Sequence, residues 1–429
     1  MLALPFVPPL PSEPLTRSNA RTHAMVLALT CAVQNYDWGI TGASEVSALG
    51  ALNTGTASEV AKPYAELWMG THPSGPSTVK DTGVGLRETI AADATTHLGA
   101  ETHGRFGDDL PFLTKVLSVA KALSIQAHPD KALAAQLHAD RPNVYKDANH
   151  KPEMTLAISE FEALCAFVAP AELAGHLGTV PELRNVVGDE VAAAFTAAVA
   201  AAGADTPKAE LRAVFTALMT ADADAVAAQV DALAARLSAA AAESLTRVDA
   251  LALRLNSQYP QDVGVLCAYV LNYVTLKPGQ CIYLAANEPH AYLSGECVEC
   301  MATSDNVVRA GLTPKLRDTA ILCDMLTYAA GQPTVLEGEA LDAVTRRYQP
   351  PFDEFQLEVL EVKPGEKYAV EASPGPCVFL VQAGGGAMGE VAVSRGAVVY
   401  APAGEAVEVS AGEKGCKMYR AMINSRVFA

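Results

Sequence analysis

A mainly β protein interrupted by one helical insertion is the architecture this sequence predicts, and three observations predict it. Short β-type runs separated by Gly, Pro and Asn fill residues 26–155. Near Pro170 the texture changes, and Ala/Leu-rich sequence with helical spacing continues to Ser257. β-type character returns at Val263 and holds to the C-terminus. At 429 residues the chain exceeds one typical core and suits two or three domains. We assign residues 25–160 and 261–338 to one domain, 161–260 to a helical domain inserted in it, and 339–429 to a further β domain. Residues 1–24 are Pro-rich and lack an apolar stretch of signal-peptide length, so a disordered extension is expected there.

The elements follow in chain order. Residues 26–29 are the first strand. Residues 86–100 and 129–139 read as short helices between strands, the second with Ala132, Ala135, Leu137 and His138 on its inner face. Lys115-Val116-Leu117-Ser118-Val119 is a β-compatible run, and residues 125–128 are a strand after it. In the insertion, Val226, Val230, Leu233, Ala234 and Leu237 mark one helix face, and Gly203, Pro207 and Asp222 divide the segment into several helices. Leu276-Lys277-Pro278-Gly279-Gln280 is a turn and residues 281–284 a strand; Asn287-Glu288-Pro289-His290 is a second turn that presents His290. Lys363-Pro364-Gly365 opens the last β stretch, which contains no histidine.

Charge and cysteine usage exclude several classes. The formal net charge is −17 and there is no basic tract, which argues against nucleic acid or an anionic membrane surface as partner. The Ala-rich regions carry regular charged residues, unlike a membrane span. Of nine cysteines, only Cys297 and Cys300 form a C-x-x-C, and no second close pair completes a zinc ribbon. Reduced buried thiols in a cytoplasmic enzyme are expected.

The chemistry concentrates in Ser124-Ile125-Gln126-Ala127-His128 and in two distant segments, His150-Lys151-Pro152-Glu153 and Glu288-Pro289-His290. On a strand, Gln126 and His128 project to one face. A carboxylate from Glu153 and an imidazole from His290 complete two nitrogen and two oxygen ligands, a set suited to Zn²⁺ and less exclusively to Fe²⁺ or Mn²⁺.

These segments sit among others that resemble a known family. Gln34-Asn35-Tyr36-Asp37-Trp38-Gly39, Tyr64 to Pro73, Asp147 to Met154 and Ser304 to Lys315, with the Gln126/His128 block, resemble type I mannose-6-phosphate isomerase (phosphomannose isomerase) of the cupin superfamily. The blocks stand in the family's order over residues 30–335. The resemblance implies a cupin-type jelly roll with a helical insertion and a second, C-terminal jelly roll. It implies a monomeric cytoplasmic enzyme, with one Zn²⁺ per chain, that interconverts mannose 6-phosphate and fructose 6-phosphate and supplies GDP-mannose and glycan synthesis. It places the zinc ligands on Gln126, His128, Glu153 and His290, and the catalytic arginine on Arg309.

An aldose–ketose isomerisation needs a base that reaches two adjacent carbons, a polarised carbonyl and an acid for the oxygen proton. Arg309, permanently cationic, suits the charge that develops on a cis-enediol intermediate. Glu299, where the family places an acid, is the first candidate base. Nine positions along one flat strand would set it on the face opposite His290, so a bend must intervene. Lys151 is the second candidate, and His150 or Tyr292 are further proton shuttles. Ser124 and Lys315 are candidates for the phosphate, and Trp38 and Tyr292 for the pocket wall. A non-haem Fe(II) dioxygenase would need neither the amide ligand nor Arg309. A non-catalytic cupin would have lost ligands that are all present here.

Overall fold

Two antiparallel sheets, one of eleven strands and one of ten, carry the protein in a computed structural model that describes residues 26–203 and 205–429. The extension expected over residues 1–24 lies outside the described residues. The first sheet runs Val335–Leu336, Cys281–Leu284, Glu153–Ala157, His290–Ala302, Phe112–Val119, Glu66–Met69, Ala32–Gln34. The second half of His290–Ala302 lies between Phe112–Val119 and Glu153–Ala157, while its first half pairs with Phe161–Phe167 and meets Ile125–Ala127. One long strand thus serves both walls of a rolled sheet, and the architecture is the mainly β fold with a helical insertion that the sequence predicts.

The bend required between His290 and Glu299 is a β-bulge. Against Phe161–Phe167, Ser294 lies opposite Glu162 but Tyr292 opposite Ala163, so one residue is skipped. Gly295 beside it adopts φ +104°, and a Cβ there would stand 2.3 Å from the Glu160 carbonyl oxygen. Glycine meets both demands. The extra residue restores parity, so His290 and Glu299 turn to the same interior.

The pleat also decides which residues reach that interior. Ile125, Ala127, Val308 and Ala310 are buried in one core with the helices of the insertion. Their alternate neighbours Gln126 and Arg309, in register with one another, therefore face the opposite side. The insertion's helices include Pro170–Thr179, Asp189–Ala202, Lys208–Thr220, Ala223–Ala239 and Arg247–Gln258. Gly203 at φ +64° follows the helix ending at Ala202, Pro207 precedes Lys208–Thr220, and the Asp222 carboxylate caps Ala223–Ala239 by accepting from the amides of Asp224 and Ala225. Val226, Val230, Leu233 and Leu237 form that helix's buried face.

Several elements depart from the sequence reading. Residues 86–100 form not one helix but Leu86–Ala92 and Ala94–Leu98, with Ala100–Phe106 following. Asp93 breaks the first pair by capping the second helix through the Thr96 amide, and Gly99 at φ +80° ends it. In Lys131–Asp140 the buried residues are Ala134 and Leu137, while Ala132 and Ala135 face solvent, because the helix packs its Leu133/Leu137 side against the core. Phe161–Phe167, grouped by sequence with the helices, is a strand of the first sheet whose apolar residues pack there. Leu27–Thr30 pairs with Val398–Ala401 and so lies in the second sheet with the C-terminal strands. That sheet centres on Val407–Met422, flanked by Gln356–Val362 and Cys377–Met388.

Candidate metal centre

Three almost fully buried side chains meet inside the first sheet: His128, just after Ile125–Ala127, and Glu153 and His290, each the first residue of its strand. One ligand-type atom from each lies within 4.8 Å of the others. His128 Nε2 stands 3.3 Å from Glu153 Oε1, and His290 Nε2 stands 3.3 Å from Glu153 Oε2. The other imidazole nitrogens are held by backbone. His128 Nδ1 donates to the Asn306 carbonyl at 2.6 Å, and His290 Nδ1 to the Glu288 carbonyl at 3.0 Å. Those bonds fix the tautomer and aim a bare Nε2 lone pair inward.

Among the described residues, no hydrogen bond satisfies His128 Nε2, Glu153 Oε2 or His290 Nε2. Buried polar atoms are nearly always partnered, so three orphaned ones converging at one point require another explanation. A divalent cation would supply it, since the three residues could hold a metal ion. Burial pushes the His128 imidazole down to about 4, keeping it neutral. Burial alone would raise the Glu153 carboxyl, but Lys151, with Nζ 3.1 Å away, and the His128 and His290 rings hold it well below the usual range. Neutral imidazole and ionised carboxylate are the forms that bind metal.

A cleft of about 400 Å³ opens onto this group. Across its floor, Trp68, Lys115 and Glu299 are successive cross-strand partners in three adjacent strands. Lys115 Nζ lies 3.0 Å from Glu299 Oε2, 3.7 Å from Glu66 Oε2 and 4.9 Å from the centre of the Trp68 ring. The Trp68 indole N–H donates to Glu66. Burial raises the Glu299 carboxyl; Lys115 opposes that and the Glu153 charge adds to it, leaving a net upward shift. Burial would lower the Lys115 ammonium, but Glu299, Glu66 and Glu153 outweigh it and raise it. At the cleft edge His72 Nε2 lies 3.3 Å from Asp305 Oδ1, an interaction that lowers the Asp305 carboxyl.

The residues proposed from sequence fall in different places. Gln126, Lys151, Glu153, Tyr292, Glu299, Arg309, Lys315 and Trp38 all line the cleft. Gln126 is the cross-strand partner of both His290 and Arg309. Arg309 is half-buried and, among the described residues, has no ion-pair or hydrogen-bond partner; burial lowers its guanidinium. Lys315 is exposed at the cleft and, among the described residues, has no carboxylate partner. Trp38 stacks on Tyr36 with centroids 5.8 Å apart. The Tyr292 hydroxyl accepts from Thr155 Oγ1 at 2.5 Å. Ser124 does not reach the cleft lining; its hydroxyl donates to Gln126 Oε1 at 3.4 Å. His150 is likewise absent from the lining, because its Nε2 pairs at 2.6 Å with Glu354, contributed by the C-terminal residues.

Glu66, Trp68, His72, Lys115 and Asp305 belong to the cleft and escaped the sequence reading. One signal was available: Lys115 is the one charged residue in a strand that is otherwise uncharged and mostly apolar, every residue of which is buried. The Cys297/Cys300 pair is no chelate. Its members are three apart on one strand and enter different cores, and all nine cysteines are buried and free.

Comparison with known proteins bears on this geometry. A family profile described as phosphomannose isomerase type I, catalytic domain, matches residues 26–169, and one for the type I helical insertion domain matches residues 186–271. Mannose-6-phosphate isomerase 1 of Arabidopsis thaliana is 46% identical over 93% of this chain and 94% of its own length. The crystal structure of an arginine-to-alanine mutant of phosphomannose isomerase from Salmonella typhimurium superposes with TM-score 0.81 at 28% identity, covering 94% of this chain and all of the other. A mannose 6-phosphate isomerase bound with zinc and yttrium superposes with TM-score 0.80 at 28% identity and the same coverage.

Proposed function

The chain belongs to the type I phosphomannose isomerases, which makes it an isomerase of mannose 6-phosphate, and we propose that it works with one Zn²⁺ held by Gln126, His128, Glu153 and His290. The observation that carries the metal is the convergence of three buried, unpartnered ligand atoms within 4.8 Å. The set of imidazole, carboxylate and amide donors fits zinc. Bound there, Zn²⁺ supplies a Lewis acid that polarises substrate oxygens.

The side chains do the rest. Glu299 is the base that moves a proton between C1 and C2 through a cis-enediol. Its raised carboxyl suits a proton acceptor that must also release, and the Lys115 ammonium on Oε2 orients it. Lys151, tied to the ligand Glu153, is the acid that moves the second proton between the oxygens. Arg309 stabilises the charge that develops on those oxygens; lacking a carboxylate partner, its full positive charge faces the cleft. In a protein of net charge −17, a sugar phosphate needs a local cation. Lys115 and Lys151 are already paired, so Lys315 takes the phosphate as a point charge. Ser124, whose hydroxyl donates to the Gln126 amide oxygen, orients that amide. Trp38 and Tyr292 wall the sugar. In the direction of mannose 6-phosphate formation the product serves GDP-mannose and glycan synthesis.

A coupled assay of mannose 6-phosphate conversion to fructose 6-phosphate, on metal-stripped protein with and without Zn²⁺, tests this reading. Turnover restored by Zn²⁺ and absent in His290→Ala is expected. A folded protein without turnover under any divalent metal overturns it.

A further inference from the structure

The His128 imidazole is held by the carbonyl of Asn306, and Asn306 lies in a stretch with no strand or helix to fix it. The segment opposite, residues 146–152, is equally irregular. One carboxylate stands at the centre of the bonds that join the two, beside Asn149 Nδ2 donating to the Thr303 carbonyl at 3.0 Å and Ser304 Oγ within 3.1 Å of the Asn149 carbonyl. Asp147 Oδ1 accepts from the Asn149 amide at 2.9 Å, from Ser304 Oγ at 2.8 Å and from Asn306 Nδ2 at 3.2 Å. Asp147 Oδ2 accepts from the Asp305 amide at 2.8 Å. Asn306 Nδ2 also donates to the carbonyls of Asp147 at 2.7 Å and Asn149 at 3.0 Å. Ser304 and Asn306 are buried.

We propose that Asp147 is a positioning residue for the metal centre: its carboxylate clasps residues 304–306 against 147–149 and so holds the Asn306 carbonyl that orients His128. The proposal rests on the reading of His128, Glu153 and His290 as zinc ligands. A carboxylate is required because four donors converge, and only an ionised carboxylate offers two acceptor oxygens without a donor of its own. An amide would set an N–H₂ group against at least one of those donors. The clasp also ties together the segments leading to Lys151 and Glu153 on one side and to Asp305 and Arg309 on the other. Groups that fix a ligating imidazole through its second nitrogen change metal affinity by about 10–100-fold when lost.

The test is competition between the full-length protein and a fluorescent zinc chelator, with thermal melts of the metal-free proteins to verify folding. Asp147→Ala and Asn306→Ala are each expected to weaken zinc binding by about 10–100-fold. The double variant is expected to be no weaker than the worse single one, since both act through one contact. Asp147→Asn and Ser304→Ala, milder changes that keep most of the network, are expected to lose less in the same direction. They keep the test decisive if Asp147→Ala fails to fold. Folded variants with wild-type zinc affinity, or losses that multiply in the double variant, overturn the clasp and leave the zinc reading standing. A wild-type protein that binds no zinc overturns the metal reading, and the clasp with it.

Discussion

Two buried polar clusters, one in each sheet, are handled in opposite ways. In the first, His128, Glu153 and His290 bring three ligand atoms together and leave all three without a hydrogen bond. In the second, the buried Arg420 uses every arm: Nε donates to Cys377 Sγ at 3.3 Å, Nη1 to Glu358 at 3.1 Å and Nη2 to the Glu371 carbonyl at 3.0 Å. Glu358 also holds Arg347 at 3.0 Å. Both sheets use glycine to break strand alternation, Gly295 in one and Gly384 in the other. The difference lies in satisfaction. A completed polar network consolidates a fold, whereas a converging incomplete one marks where something else must bind.

The contrast breaks most readily at its two centres. His290→Ala should lower kcat/KM in zinc-supplemented assays by more than about 1,000-fold, roughly 4 kcal/mol of transition-state stabilisation, with the fold retained in circular dichroism. Activity within tenfold of wild type would remove the first sheet's special status. Glu358→Ala leaves the Arg420 charge buried and unpaired, and should cost about 3–5 kcal/mol in urea unfolding. Its folded fraction should keep wild-type kcat and zinc content; lost catalysis at unchanged stability would reverse the assignment.

Arg309→Ala sharpens the comparison, since this guanidinium has no partner to lose. We expect kcat to fall about 100- to 1,000-fold, with little change in melting temperature. The smallest effect belongs to the bridge between the regions, Glu354 on His150. Glu354→Gln should cost about 1.5 kcal/mol near neutral pH. Burial works against ionising Glu354, but the His150 hydrogen bond prevails and sets its carboxyl below the ordinary value. Its stabilisation is therefore present above the unfolded carboxylate pKa and is lost as pH falls through the depressed folded value. Melts of wild type and Glu354→Gln should converge in acid; a difference that widens there would contradict the pairing.

The sequence made local chemistry legible and cross-strand chemistry not. Gln126, His128, Glu153, His290 and Arg309 sit in distinctive blocks, so the resemblance located them one residue at a time. The row from Trp68 through Lys115 to Glu299 depends on register between strands about 50 to 180 positions apart, which no local pattern encodes. The bulge at Gly295 lay between: parity of the strand demanded a break after His290, yet its place depended on the Glu160 carbonyl pressing on one glycine. Ser124 was named for the strand face it shares with Gln126 and His128, and its hydroxyl bonds Gln126; the partner of His150, Glu354, lies 204 positions away, beyond any local pattern. The helical insertion read well because its signals, Ala/Leu periodicity and the breaks at Gly203, Pro207 and Asp222, are local.

The most direct test of the central claim is a zinc titration of metal-free protein in which bound metal and turnover of mannose 6-phosphate are measured on the same samples. Turnover that rises in proportion to bound zinc and levels off at one equivalent per chain is the predicted result. Full turnover in protein shown to be metal-free, or zinc bound without any turnover, would contradict the account.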